Sequence, residues 1–219
     1  MIFYHLMWNM GYFQFVDFYI SVMPNWRAFR GVIVTSFVFI SGVSLYMVAQ
    51  KSDLNRRLFK RFLQLAVCAI GITVSGYIER PNAIVYLGIL HFFALSTLLS
   101  WPLLKRPKWC LALGSVITLV GMMRDYPKFG ANQPFCLTSL EPVCQKTADF
   151  VPLFPWFGVL LFGVALAPRA IEMLEKLNLN WQGVFMRGVL FLGRHSLIVY
   201  LAHIPILFYS FKVVYLLTR

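Results

Sequence analysis

The hydrophobic positions of this chain fall into long runs that are separated by short clusters of charged and turn-forming residues. A helical run of about 20 apolar residues is long enough to cross the hydrocarbon core of a bilayer. We therefore predict about seven membrane-spanning helices, at residues 1–22, 29–50, 62–79, 84–104, 109–123, 152–168 and 191–214. Since no soluble domain follows or interrupts these runs, residues 1–219 are interpreted as one all-α domain, a polytopic transmembrane helix bundle.

The composition supports a membrane protein and argues against a soluble one. Hydrophobic residues make up 59% of the chain and charged residues only 13%, whereas soluble domains carry about 25% charged residues. The net charge of +12 is typical of cytoplasmic loops that follow the positive-inside bias. We therefore expect the lipid bilayer to be a partner and expect no nucleic acid partner.

The basic residues are concentrated in two connections between the predicted spans, and this sets the predicted topology. One connection carries Lys51, Arg56, Arg57, Lys60 and Arg61, and the other carries Lys105, Arg106 and Lys108. Both connections are predicted to be cytoplasmic, which places the N-terminus inside and the C-terminus outside. The connection at 124–150 then faces outward and contains Cys136 and Cys144, and the sequence leaves open whether these form a disulfide or stay free thiols.

All four histidines lie in or at the edge of predicted spans: His5, His91, His195 and His203. Counting about 1.5 Å of rise per residue places His5, His91 and His203 in the outer half of the membrane. Ionisable side chains at that depth are costly and usually functional, so we expect these three to line one polar pocket that can move protons. The alternative is that each imidazole is satisfied by a neighbouring hydroxyl or carbonyl.

Other polar residues lie near the same level of the predicted bundle. Asn9 follows His5 by four positions and therefore shares its helix face, where it either orients the imidazole or hydrogen-bonds to another helix. Asp17 lies two turns further toward the outer surface, and Arg27 lies at the outer start of the second span. Asp17 and Arg27 are candidates for binding the substrate, although a long basic side chain also snorkels toward the headgroups without a specific ligand. The chain has no phosphate-binding glycine loop, no GxSxG, no HExxH and no zinc-type Cys/His spacing, so no metal is expected.

Five segments together resemble a known family. They are MIFYHLMWNMGYF, FVFISGVSLYMVAQK followed by RRLFKR, YLGILHFFALSTLL, DFVPLFPWFGVLLFGVALA and LGRHSLIVYLAHIPIL. In this order they resemble the catalytic domain of heparan-alpha-glucosaminide N-acetyltransferase and its small bacterial membrane relatives. Relatives often have Asp where this chain has Asn9, and they usually begin with a short basic segment that is not seen before Met1, which leaves open whether this N-terminus is complete.

The resemblance implies a transmembrane acetyltransferase that takes an acetyl group from cytoplasmic acetyl-CoA and delivers it to a sugar amine or hydroxyl on the other side. It also implies a central membrane-embedded histidine, matched here by His5, acting as general base or transient acetyl acceptor. His91 and His203 are then candidates for orienting the acceptor or stabilising the oxyanion. The phosphates of acetyl-CoA, the only co-substrate expected, are assigned to some of six basic residues, namely Arg56, Arg57, Lys60, Arg61, Lys105 and Arg106. The alternative is that these residues only set the topology, as basic loops do in most membrane proteins.

Further partners follow from the resemblance alone. They are a saccharide or glycolipid acceptor and a second copy of the chain in a homodimer, in a bacterial inner membrane. A proton-coupled transporter that relays protons through the buried histidines is the main alternative function, and a noncatalytic membrane subunit is a third.

Overall fold

The predicted all-α class is confirmed by the computed structural model, which describes residues 1–16, 23–79, 88–123, 133–135, 145–147, 151–177 and 183–218. Eight α-helices account for most of these residues: α1 (Ile2–Tyr12), α2 (Pro24–Ala49), α3 (Leu54–Glu79), α4 (Ile89–Ser100), α5 (Pro107–Met123), α6 (Leu153–Lys176), α7 (Val184–Arg194) and α8 (Ser196–Thr218). A single 3-10 turn, Trp101–Leu103, follows α4. Two short strands, β1 (Gln133–Phe135) and β2 (Gln145–Thr147), pair antiparallel with Pro134 opposite Lys146. Cys136 and Cys144 lie outside the described residues.

Four of the described helices are long and apolar enough to cross a membrane: Ala28–Ala49, Leu54–Ile78, Leu153–Lys176 and Ser196–Thr218. The protein is therefore an integral membrane protein. The apolar segments Ile89–Leu103 and Pro107–Met123 are shorter, so the number of seven spans and the orientation of the termini stay predictions.

Several predicted spans have different boundaries in the structure. The helix α3 begins at Leu54, eight residues before the predicted start at 62, and α6 continues to Lys176, eight residues beyond the predicted end at 168. The run at 191–214 is divided, because α7 ends at Arg194 and α8 begins at Ser196, where Gly193, Arg194 and His195 interrupt the apolar pattern. Within the described residues 1–16 of the predicted run at 1–22, α1 ends at Tyr12, and Gln14 has a left-handed φ of 57°. Residues 17–22 lie outside the described part of the chain.

The chain divides into two compact units, one of residues 1–30 with 173–219 and one of residues 31–172. In the second unit α6 approaches α2 very closely through glycine. A Cβ atom at Gly163 would collide with the carbonyl oxygen of Phe39, and one at Gly42 would collide with that of Leu160. Small residues permit such close crossings in membranes. This contact buries Val38, Leu160 and Val164 completely.

In the first unit α1 packs against α8 with both helices running in the same direction. His5 contacts His203 at one level, and Phe13 contacts Phe208, Phe211 and Tyr215 further along both helices. The ring centroids of Phe13 and Phe208 are 5.5 Å apart. This aromatic cluster sets the register that brings the two histidines together.

Candidate functional site

His5 and His203 form an imidazole pair in the first unit. Their ring centroids are 5.1 Å apart and their planes are inclined by 57°. Tyr4 lies edge-on to His5 at 5.8 Å, and Tyr200 lies 5.5 Å from His203. Two of the three histidines that the sequence predicted to share a site are therefore in contact.

Backbone carbonyls fix the proton position on His203. Its Nδ1 lies 2.6 Å from the carbonyl oxygen of Tyr200 and 3.2 Å from that of Val199. A carbonyl oxygen can only accept a hydrogen bond, so Nδ1 must donate. In the neutral ring the lone pair is then on Nε2.

The Nε2 atom of His203 is a buried acceptor without a hydrogen-bond partner among the described residues. The side chain as a whole is only 7% exposed. A buried polar atom without a partner costs about 1–3 kcal/mol, and such atoms are uncommon in folded proteins. This lone pair is therefore a candidate for accepting a proton or an acyl group.

Asn9 lies one helical turn after His5 on the same face of α1, as the sequence predicted. Its Nδ2 donates to the backbone carbonyl oxygen of His5 at 2.8 Å, so this bond does not reach the His5 ring. The side chain is 4% exposed, and its Oδ1 has no hydrogen-bond partner within the described part of the chain. Asn9 thus places a second buried acceptor atom on the α1 face that carries His5.

His91 belongs to the second unit, near the start of α4. Its Nε2 lies 3.2 Å from Oγ1 of Thr73 in α3, and that hydroxyl is also 3.3 Å from the carbonyl oxygen of Ala69. If the hydroxyl donates to the carbonyl, it accepts from Nε2–H of His91. This arrangement matches the alternative weighed from the sequence, an imidazole satisfied by a neighbouring hydroxyl, and a pocket shared with the other two histidines stays a prediction.

The basic residues predicted to hold coenzyme phosphates lie at one end of the second unit. The indole Nε1 of Trp101, at the end of α4, donates to Oδ1 of Asn55 at the start of α3, at 3.1 Å. This bond brings the two basic connections to the same end. Five of the six side chains are exposed, as expected of residues in solvated loops: Arg56, Arg57, Lys60, Lys105 and Arg106.

Arg61 differs from these five because it is half-buried and hydrogen-bonded to another helix. Its Nη2 donates to Oγ of Ser41 at 2.8 Å, and its Nη1 donates to Oγ of Ser44 at 3.1 Å. Sequence reasoning named Arg61 but missed both serines. Their spacing of three positions within an apolar helix was the available signal.

The side chains of the two predicted substrate-binding residues, Asp17 and Arg27, lie outside the described part of the structure. Asp17 lies outside the described residues altogether, and Arg27 is in the first turn of α2. Both stay predictions.

Comparison with protein families matches residues 1–205 of the 219 to one family, described as heparan-alpha-glucosaminide N-acetyltransferase, catalytic. Comparisons with curated proteins and with solved structures give no match. The match covers the imidazole pair as well as both basic connections. The chain therefore belongs to the heparan-alpha-glucosaminide N-acetyltransferase catalytic family, and this membership implies acetyltransferase activity in a membrane.

Proposed function

We propose that this protein transfers an acetyl group from cytoplasmic acetyl-CoA to a sugar amine or hydroxyl on the other side of a bacterial inner membrane. The observation that carries the proposal is the contact between His5 and His203, with a buried lone pair on Nε2 of His203. Family membership does not favour the alternative of a proton-coupled transporter.

In direct transfer one imidazole of the pair acts as general base. It takes the proton of the acceptor amine or hydroxyl while the acceptor nitrogen or oxygen attacks the acetyl carbonyl carbon. The C–S bond then breaks, and coenzyme A leaves as a thiolate that recovers the proton from the imidazolium. General base action of this kind contributes about 10²- to 10⁴-fold in rate.

In two-step transfer an imidazole nitrogen attacks the acetyl carbon first, the C–S bond breaks and coenzyme A leaves as a thiolate. The acceptor nitrogen or oxygen then attacks the acetyl carbon, the bond from this carbon to the ring breaks, and the proton of the acceptor passes through the second imidazole to the thiolate. The lone pair on Nε2 of His203 suits either role, and His5, at 5.1 Å between ring centroids, is within reach to relay the proton directly or through one water. We assign His5 and His203 jointly to this step.

The remaining residues have supporting roles in the proposal. Oδ1 of Asn9 accepts a hydrogen bond from the acceptor, because it is a buried oxygen on the face of His5 and has no partner among the residues that the structure describes. His91, held by Thr73, orients the acceptor, with Asp17 and Arg27 as further substrate-binding residues. The exposed basic side chains attract the coenzyme phosphates.

A sided transfer assay tests the proposal. Full-length protein is reconstituted in liposomes with radiolabelled acetyl-CoA on one side and a panel of amino sugars and glycolipids on the other. We expect labelled acceptor with wild type, and a loss of about 10²- to 10⁴-fold for His5→Ala. His195→Ala is the matched control, since His195 is exposed and lies just after α7, where its Nδ1 is 3.0 Å from the carbonyl oxygen of Phe191. The proposal is wrong if His5→Ala transfers as well as this control, or if wild type acetylates none of the acceptors.

A further inference from the structure

Arg61 occupies a position on α3 where an apolar side chain is expected. The preceding and following turns of the same face carry Leu58 and Leu65, which are both buried. Its guanidinium instead reaches across to α2, where it contacts the hydroxyls of Ser41 and Ser44. The three side chains define a polar cluster, which we call the Arg61 cluster.

The Arg61 cluster carries a positive charge that no carboxylate of the described residues compensates. Among the described residues Arg61 bonds only to the two serine hydroxyls and forms no ion pair. Placing an unpaired charge in such a position is costly. The neighbouring Arg56, Arg57 and Lys60 avoid this cost by being exposed.

The cluster offers hydrogen-bond donors and few acceptors. A guanidinium has five N–H donors, and two of them are used by the serines, which leaves three. Each serine oxygen accepts from Arg61 and keeps its own hydrogen to donate. A group that is matched to this set has several acceptor oxygens and a negative charge.

The position of the cluster along α3 favours a phosphate group as its ligand. Arg61 is seven residues from the start of α3, or about 10 Å along the axis at 1.5 Å per residue. Because Arg61 directly precedes the apolar run predicted at 62–79, we expect the helix to leave the hydrocarbon core and meet the headgroups near this residue. Arginine binds phosphate through two parallel N–H···O bonds, and phosphate is the most abundant anion at this level.

We propose that Arg61, Ser41 and Ser44 form a phosphate-binding site at this end of the second unit. The phosphate belongs either to coenzyme A or to an anionic phospholipid headgroup. The coenzyme source rests on the proposed function, whereas the lipid source does not.

The test measures phosphate binding directly, without turnover. Purified full-length protein in detergent is titrated with coenzyme A and with pantetheine, which lacks the phosphates, and phosphatidylglycerol retention is measured by native mass spectrometry. We expect Arg61→Gln to weaken one phosphate ligand by about 10-fold or more, because hydrogen bonds to charged groups contribute about 1.5–3 kcal/mol. Arg61→Lys restores part of this loss, since lysine keeps the charge but not the planar fork.

Two further variants keep the test decisive if Arg61→Gln does not fold. Ser41→Ala with Ser44→Ala retains the charge and removes the hydroxyls, and we expect it to weaken the same ligand by about 3- to 10-fold. Lys51→Gln removes one exposed positive charge from the connection between α2 and α3 and should change affinity by less than about 2-fold.

Each result identifies the source or overturns the site. Weaker coenzyme A binding with unchanged pantetheine binding identifies the coenzyme, and weaker phosphatidylglycerol retention alone identifies the lipid. If Arg61→Gln, or the double serine variant in its place, behaves like Lys51→Gln for both ligands, or if wild type binds neither, the inference is wrong. If wild type transfers acetyl groups but Arg61→Gln binds phosphate as well as wild type does, the result counts against this site only. If wild type transfers no acetyl group but Arg61→Gln weakens phosphate binding as expected, the result counts against the proposed function only.

Discussion

His203 and His91 both lie in apolar helices, but their Nε2 atoms differ in hydrogen bonding. Nε2 of His91 lies 3.2 Å from the hydroxyl of Thr73, whereas Nε2 of His203 is buried without a partner among the described residues. Each ring is held by residues of its own compact unit, namely Val199 and Tyr200 for His203 and Thr73 for His91. The difference shows that depth in the membrane does not by itself identify the reactive histidine, because the partner of each ring nitrogen decides which lone pair is available.

The largest effect is expected from His203→Ala. We expect acetyl transfer to fall by about 10²- to 10⁴-fold, since the buried acceptor on Nε2 is removed. The transfer rate at saturating acetyl-CoA measures this, with folded protein quantified by size-exclusion chromatography. A rate within a few-fold of wild type would remove His203 from the chemistry.

The contact between His5 and His203 predicts that their substitutions are not additive. Residues that act as one catalytic unit give a double variant that is about as slow as the slower single variant. We therefore expect the combination of His5→Ala with His203→Ala to lose no more than about 10²- to 10⁴-fold in total. Multiplication of the two single losses would mean that the rings act independently.

A smaller effect is expected at His91, because the proposal gives this ring a positioning role. We expect His91→Ala to raise the KM for the acceptor by about 10-fold with little change in kcat, as loss of one hydrogen bond of about 1.5 kcal/mol would do. Thr73→Val should reproduce part of the change, because it removes the hydroxyl that holds the ring. A fall in kcat as large as that of His203→Ala would make the two histidines equivalent and contradict the comparison.

The smallest predicted effect concerns stability and differs in size between the two histidines. His203→Leu removes a buried Nε2 that has no partner among the described residues, but it also removes the Nδ1–H bonds to the carbonyls of Tyr200 and Val199, so we expect the free energy of unfolding to stay within about 0.5 kcal/mol of wild type. His91→Leu removes a hydrogen bond between α3 and α4 and should lower the free energy of unfolding by about 0.5–1.5 kcal/mol. Thermal unfolding in one detergent compares the two, and equal shifts of the same sign would contradict the difference in partners.

The sequence predicted the helical class and the meeting of His5 with His203, because both depend on helix length and rise per residue. It could not predict the proton position on His203, which depends on where the side chain rotates relative to the carbonyls of Tyr200 and Val199. Nor could it predict that Nε2 of His91 lies beside a hydroxyl, since Thr73 is brought near only by packing of α3 against α4.

Two other features of the structure differ from what the pattern along the chain predicts. The run at 191–214 was predicted as one span, but the polar break at His195 divides it into α7 and α8. Arg61 was grouped with five basic neighbours by charge alone, although its spacing from Leu58 and Leu65 places it on the buried face of α3. The position of Arg61 on the helix face therefore distinguishes it from the exposed basic residues, whereas its charge does not.

The central claim is that the imidazole pair of His5 and His203 performs the acetyl transfer, and the ratio of transfer rates between His203→Gln and His195→Gln tests it most directly. Both variants remove one imidazole from the same stretch of chain, but only the first removes a buried Nε2 that has no hydrogen-bond partner within the described part of the chain. The account predicts a rate for His203→Gln about 10² or more below that of His195→Gln. Equal rates in two folded variants would contradict it.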